Sequence, residues 1–375
     1  MKEIRMVDLK SQYLNIKTEV DEAVLNVLDN TAFINGPEVQ AFQKELEAYL
    51  QVKHVIPCAN GTDALQVAMM ALDLKPGDEV ITTSFTFIAT AEVIALLGLT
   101  PVLVDVDSKT FNIDPKAVEK AITPKTKAIV PVHLFGQCVE MTKIEAIAKK
   151  HNLFIVEDVA QALGADYIYP CGTHKKAGSI GHVGCTSFFP SKNLGCFGDG
   201  GAIFTQDDEL AKKMRCIVNH GMTVRYYHDM IGVNSRLDSI QAAILRIKLR
   251  KLDQYNQDRQ HAAAFYNNAF KNCKNLIIPA SGENTTHIYH QYTLQLKNVD
   301  REKLIEHLNS KKIPAMIYYP VPLHLQKAYL DPRYKKGDFP VTEQLSMSVF
   351  SLPMHSELDD EQLEYITKGV LEFVN

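Results

Sequence analysis

Lys192 follows an apolar run, Cys185-Thr186-Ser187-Phe188-Phe189-Pro190, that reads as the end of a buried strand, and it precedes a glycine-rich turn, Gly198-Asp199-Gly200-Gly201. An ammonium is costly to bury unless it is neutralised or bonded. A lysine that forms a Schiff base with a carbonyl compound meets that condition. Most lysines are surface charges, but those are not flanked in this way. Ser187 shares a face with Lys192 only if the chain turns between them, and Pro190 can supply that turn. Its hydroxyl could then bind a phosphate oxygen; a plain strand serine is the alternative.

Three groups upstream could work with this lysine. Asn60-Gly61-Thr62-Asp63-Ala64-Leu65 follows an apolar segment and opens a helix. Gly61 permits close approach of a ligand, and Thr62 offers a hydroxyl and an amide at a helix N-terminus, where anions bind. Helix capping is the competing reading of Thr62. Glu157-Asp158 ends the apolar run Leu153-Phe154-Ile155-Val156. A carboxylate at the end of a buried parallel strand could cap a helix, bind a metal or hold a pyridine nitrogen protonated. Gln161, about one turn on, could donate to a ring substituent. Phe87, read as the start of a helix after Thr82-Thr83-Ser84-Phe85-Thr86, could be a ring-stacking platform or a core aromatic. In chain order these are a phosphate loop, an aromatic, a strand-end Asp, a Ser and a Lys. Pyridoxal 5'-phosphate (PLP) needs that set of parts.

The elements that must position them also show in the sequence. Residues 12–30 and 37–51 carry helical periodicity. Short strand-like runs then alternate with helical patterns: 79–82, 101–105, 128–132 and 153–157 against 62–73, 87–97, 114–121 and 141–151. That alternation predicts a mostly parallel, doubly wound sheet, and several of the strands are apolar throughout, as when both faces are covered. Residues 236–268 form a long amphipathic stretch expected to connect two domains. A strand (Tyr289 to Leu296) and helices (Arg301 to Ser310, Asp359 to Phe373) follow, predicting a smaller C-terminal α+β domain. The division expected is 1–250 and 251–375. Residues 166–183 read as a mobile excursion.

The 375 residues are 46% hydrophobic and 22% charged, with net charge −4. Neither nucleic acid nor an anionic membrane is implied as partner. No apolar run has the length of a membrane span, and the start lacks a signal-peptide pattern. Seven scattered cysteines without CxxC spacing suggest cytoplasmic thiols rather than disulfides or a metal site.

The sequence resembles the sugar-nucleotide aminotransferases of the DegT/DnrJ/EryC1/StrS family over nearly its whole length. The matching pieces include Gly36-Pro37-Glu38-Val39, Asn60 to Leu65, Phe85-Thr86-Phe87, Glu157 to Ala162, Ser187 to Gly195, Gly232 to Asp238, Tyr319 to His324 and Leu352-Pro353-Met354-His355. The resemblance implies an α/β, fold-type I PLP-dependent transferase. It implies that Lys192 is the Schiff-base lysine and Asp158 the partner of the pyridine nitrogen. Gly61, Thr62 and Ser187 would hold the phosphate, Phe87 would stack on the ring, and Gln161 would contact it. Asn234 would reach the cofactor of a neighbouring subunit, which makes a homodimer with shared sites. Arg236, Tyr319 and His324 would meet the substrate. L-glutamate is the implied amino donor, with pyridoxamine 5'-phosphate formed in passing.

The runs Cys185 to Asp208 and Val224 to Leu245 look closest to enzymes that aminate UDP-2-acetamido-2-deoxy-3-oxo-glucuronate for surface polysaccharides. Enzymes of dTDP-3-oxo-6-deoxyhexoses share Asn234 to Asp238 and are the alternative. A nicotinamide enzyme would need G-x-G-x-x-G between a strand and a helix, which Gly198 to Gly201 does not provide. A non-catalytic regulator on the same fold would be expected to lack the lysine or carry a DNA-binding segment.

Overall fold

The computed structural model describes residues 2–375. Two long helices come first, α1 (Leu9–Asp29) and α2 (Pro37–Leu50). Strands β1 (His54–Cys58), β2 (Glu79–Thr83), β3 (Thr100–Val104), β4 (Thr126–Val130) and β5 (Phe154–Asp158) follow. Between them run α3 (Gly61–Ala71), α4 (Ala89–Leu96), α5 (Pro115–Ala121) and α6 (Met141–His151). A hairpin, β6 (Asp166–Ile168) and β7 (His174–Lys176), then leads to β8 (Val183–Ser187), β9 (Gly201–Thr205) and α7 (Asp208–Ile217).

The central sheet has the order β1-β9-β8-β5-β4-β2-β3. Neighbours from β8 to β3 pair parallel, and β9 runs against both β8 and β1. Adjacent strand residues point to opposite faces. Val80, Val130 and Val156 therefore pack under α3 and α7, while Ile81, Ile129 and Ile155 pack under α5 and α6. With helices on both faces, the sheet is mostly parallel, as the alternation predicts.

A second hairpin, β10 (Met222–Val224) and β11 (Tyr227–His228), stands on the surface. The amphipathic stretch 236–268 is two helices, α8 (Ser239–Leu249) and α9 (Leu252–Phe270), rather than one. Past the break at Arg250–Lys251, Leu252 still packs on the α8 side, and the rest of α9 turns to a second core. Ala242 and Leu245 pack with Phe42 and Leu46 of α2, whereas Ala263, Tyr266 and Phe270 join the C-terminal core. That core closes around the antiparallel sheet β12 (Leu276–Ile277), β13 (Tyr292–Leu296) and β14 (Val349–Leu352). Helices α10 (Arg301–Ser310) and α12 (Asp360–Val374) cover it, and α11 (Pro340–Ser348) precedes β14. Ile4 from the N-terminal end also lies in it.

The expected strand over Tyr289 to Leu296 begins only at Tyr292; Tyr289 has a positive φ of 48°, which an extended strand cannot absorb. Residues 166–183 form a hairpin, β6 with β7, followed by a turn. Tyr167 is buried, and its hydroxyl lies between Glu140 and Thr142. Among the described residues no helix is long and apolar enough to cross a membrane.

Candidate active site

Asp158 ends β5 and Ser187 ends β8, so parallel pairing of these strands sets both at the carboxyl edge of the sheet. Ligands bind at that edge in open α/β folds. Asp158 is 7% exposed. Its Oδ2 accepts from Thr90 Oγ1 at 2.7 Å and its Oδ1 from the Ala160 N–H at 3.1 Å. Glu157, one residue earlier, faces the opposite way. It accepts from His133 Nε2 at 2.8 Å and from the N–H groups of Gly178, Ile180 and Gly181 at 3.0, 2.8 and 2.6 Å. The Val139 N–H donates to His133 Nδ1 at 3.0 Å, so this imidazole is neutral with its proton on Nε2. Burial alone would raise the Glu157 pKa, but these hydrogen bonds outweigh it and hold the carboxyl below its usual range. Of the paired acids, Glu157 ties loops together and Asp158 is left toward the site.

Gln161 is pinned on both sides. The Phe135 N–H donates to its Oε1 at 2.8 Å, and its Nε2 donates to the Tyr319 hydroxyl at 3.0 Å. Burial pushes the Tyr319 phenol pKa up. The Tyr319 ring lies 6.1 Å from Phe85 and 6.4 Å from Phe87. Phe87 does not start a helix; α4 begins at Ala89, and Phe87 stands 57% exposed just before it. An aromatic so exposed has no core role to explain it.

The opposite corner is tight. An added Cβ on Gly61 would meet Ser187 Cβ at 2.7 Å, so only glycine lets α3 begin against the end of β8. Asn60, not Thr62, caps the helix, its Oδ1 accepting from the Asp63 N–H at 2.8 Å. Thr62 is thereby released from capping. Ser187 Oγ accepts from the Phe189 N–H at 3.2 Å and keeps its own proton to donate. Ser235 Oγ accepts from the Ala59 N–H at 3.1 Å and brings the 234–236 segment beside this corner.

Lys192 is half-buried in the loop between β8 and β9. Among the described residues its ammonium has neither an ion pair nor a hydrogen bond. Desolvation lowers its pKa to about 8, and the charge of Asp158 opposes this only in part. A lysine held in this way is primed as a nucleophile.

The chain brings together Gly61 with Ser187, Asp158 with Lys192, and Gln161 with Tyr319 and Phe87. Among the described residues no hydrogen bond, ion pair or ring contact links Asn234, Arg236 or His324 to them. Asn234 is exposed and Arg236 half-buried, and among the described residues neither side chain has a hydrogen-bond or ionic partner. His324 is buried against its own loop, with Nε2 3.1 Å from Glu343 Oε1 and its ring 4.7 Å from Phe339. Thr90 and the Phe135 amide escaped the sequence reading; neither belongs to a motif, and only the tertiary fold sets them beside Asp158 and Gln161.

These residues fit a phosphorylated pyridine aldehyde. A cradle that a Cβ would fill faces free hydroxyls, an exposed aromatic and a buried Asp flank the space, and a lysine without a partner adjoins them. The model of the DegT/DnrJ/EryC1/StrS aminotransferase family matches residues 14–371. The chain belongs to this family. It is 46% identical to the UDP-2-acetamido-2-deoxy-3-oxo-D-glucuronate aminotransferase of Pseudomonas aeruginosa, over 97% of this chain and 98% of that one. It is 45% identical to a protein named pleiotropic regulatory protein in Geobacillus stearothermophilus, over 99% and 98%. Among solved structures, DesV of S. venezuelae in complex with a ketimine intermediate superposes with a TM-score of 0.95 at 39% identity, covering 100% of this chain and 99% of that one. The PLP form of Spr1654 from Streptococcus pneumoniae gives 0.88 at 25% identity, with 96% and 97% covered.

Proposed function

We propose that this aminotransferase moves an amino group from L-glutamate to UDP-2-acetamido-2-deoxy-3-oxo-glucuronate. The product would enter bacterial surface polysaccharide, such as the O-antigen of lipopolysaccharide. The cofactor is pyridoxal 5'-phosphate. The observation that carries the reading is Lys192, a half-buried amine with a pKa of about 8 and no partner, next to a strand-end Asp158. The substrate rests on the 46% identity to the Pseudomonas aeruginosa enzyme.

In this reading Gly61, Thr62 and Ser187 hold the phosphate, Phe87 and Gln161 position the ring, and Lys192 holds the aldehyde carbon. When bound, the cofactor supplies an electron sink for the pair left as the donor Cα loses its proton. Asp158, its carboxylate fixed by Thr90 and Ala160, would keep the ring nitrogen protonated. Lys192, as free base, would be the group that takes the proton from the donor Cα and returns it on the cofactor side. The same residues act in the reverse order on the keto sugar, giving ping-pong kinetics. Tyr319 closes the site beside Phe87. His324 would shape the substrate side through the loop it anchors.

Asn234 and Arg236 complete the site of a second copy in this proposal. Their lack of partners in one chain supports it, as do Leu14, Leu25, Phe33 and Ile34, exposed on and after α1. The arginine would then offer a cation to the uronate carboxylate. Seven free cysteines fit a reducing cytoplasm. We divide the chain into a PLP-binding unit, 1–250, and a smaller unit, 251–375.

The test is an absorbance titration of the PLP form with the UDP-linked 2,3-diamino-uronate and, separately, a dTDP-3-amino-6-deoxyhexose. Bleaching by the UDP-uronate alone supports the proposal. Bleaching by the dTDP sugar alone moves the enzyme to the deoxyhexose branch. No response to either sugar or to L-glutamate would leave a regulator reading in its place.

A further inference from the structure

Immediately after Lys192 the chain does something the reaction does not require. Asn193 turns away from the site and is 4% exposed. Its Nδ2 donates to Asn256 Oδ1 on α9 at 2.7 Å and to the Ile288 carbonyl at 3.3 Å. Both amide hydrogens are thus committed, and Oδ1 faces His290 Nδ1 at 3.2 Å. His290 therefore carries its proton on Nδ1 and donates it to Asn193. Arg259 Nη1 in turn donates to the carbonyls of Tyr289, His290 and Met354 at 3.2, 3.2 and 3.0 Å. The 288–290 segment is also pressed against the Leu134–Gly136 turn, where a Cβ on Gly136 would meet the Tyr289 and His290 nitrogens at 2.8 Å. This network ties the loop bearing Lys192 to residues of the C-terminal part of the chain.

We propose that His290 and Asn193 form a positioning pair that holds Lys192 at its half-buried place. His290 acts through the Asn193 amide and touches no reacting atom in this scheme. The proposal rests on the reading of Lys192 as the reactive amine.

The charged groups around the pair are consistent with this role. Burial, the Lys192 ammonium and the Arg259 guanidinium all keep His290 uncharged. A neutral ring donates one proton and stays in register with Asn193 across the working pH range. Arg259 has no acidic partner among the described residues, and burial lowers its pKa to about 10. Lys248, on α8, is 1% exposed and donates to the Gly195 carbonyl, closing the other end of the same loop. Asp158 is the acid that raises the Lys192 pKa. Without the pair, the loop loses its anchor at residue 193 and the Lys192 side chain is free to reach water.

The test compares His290→Leu, which removes the donor and keeps bulk, with His290→Asn, whose amide can replace Nδ1–H. The primary readout is the pH midpoint of Lys192 acylation in the apoprotein, followed by mass spectrometry of its peptide, with circular dichroism as a check on folding. The wild-type midpoint is expected near 8. His290→Leu is expected to raise it by about one unit or more, because a solvated lysine titrates near 10.4, and to lower kcat about tenfold or more. His290→Asn should return the midpoint and most of kcat. Asn256→Ala, which loosens the same amide from α9, is the second probe if His290→Leu does not fold; it should raise the midpoint in the same sense. Folded variants that keep the wild-type midpoint overturn the proposal. If Lys192 in the wild type titrates as an ordinary lysine, the reading of Lys192 fails first, and that outcome is distinguishable.

Discussion

Replacing Gly61 with alanine tests the phosphate corner by geometry alone. The new Cβ would lie 2.7 Å from Ser187 Cβ and 3.2 Å from Ser187 Cα. Carbon atoms in contact settle at roughly 3.5–4.0 Å, so the two parts must separate by about 1 Å. Neither yields easily. Ser187 is paired with Gly201 in the ladder between β8 and β9, and a Cβ on Gly201 would itself meet the Asn60 carbonyl carbon and oxygen at 2.4 Å. The shift therefore falls on the first turn of α3, which carries Thr62. Overpacking of this kind costs about 1–3 kcal/mol in stability. A displacement of about 1 Å at the anion site should weaken cofactor binding by ten- to a hundredfold. The assays are the PLP dissociation constant of the apoprotein, read by absorbance, and its melting temperature. Gly198→Ala is the control, since its Cβ would meet only the tip of the Gln241 side chain, at 3.0 Å. A Gly61→Ala protein that binds PLP like the wild type and melts with it would refute the reasoning.

Lys192→Ala should abolish transamination, and turnover at the normal rate in the purified variant would end the aminotransferase assignment of this residue. The folded pKa of Lys192, about 8, lies below the ordinary 10.5, so the unfolded chain binds the proton more tightly. Its ionisation penalty is present in full below pH 8 and vanishes as pH rises through about 10.5. Apoprotein Lys192→Met should accordingly be more stable than wild type at pH 7, by up to about 3 kcal/mol, in urea melts; equal or lower stability contradicts a strained ammonium. Glu157 has the opposite sign: its depressed pKa gives stability present above about pH 4.5 and lost as pH falls, and Glu157→Gln should melt early and flatten the acid limb of a Tm-against-pH curve. Arg246 bridges Glu38 at 2.8 Å and Glu45 at 2.7 Å across α8 and α2, so Arg246→Met should cost about 1–2 kcal/mol, less in high salt; a salt-independent loss would point to packing instead.

The parallel sheet was legible because its strands are short, apolar on both faces and separated by helical periods. The place of Asp158 at a strand end, and of Lys192 in the loop after an apolar strand, was legible because residue type and strand pattern coincide there. The positions that escaped are those whose meaning is tertiary. Thr90 reads as an ordinary helix residue until the fold sets its hydroxyl on Asp158. Asn193 and His290 are 97 residues apart in sequence. The stretch 236–268 carries one continuous amphipathic pattern, and only the two separate cores show why it breaks at Arg250–Lys251. Glu157 and Asp158 look alike in sequence, and strand alternation decides which of them reaches the site.

The β6–β7 hairpin has one practical consequence. Its tip carries Cys171, which is exposed, while the other six cysteines of the chain are buried. The neighbouring Thr173 hydroxyl favours the Cys171 thiolate. Gly172 beside it has open space around its Cβ position. A maleimide dye, spin label or surface linker therefore has a single address on the native chain, at a hairpin tip, with no cysteine removed beforehand.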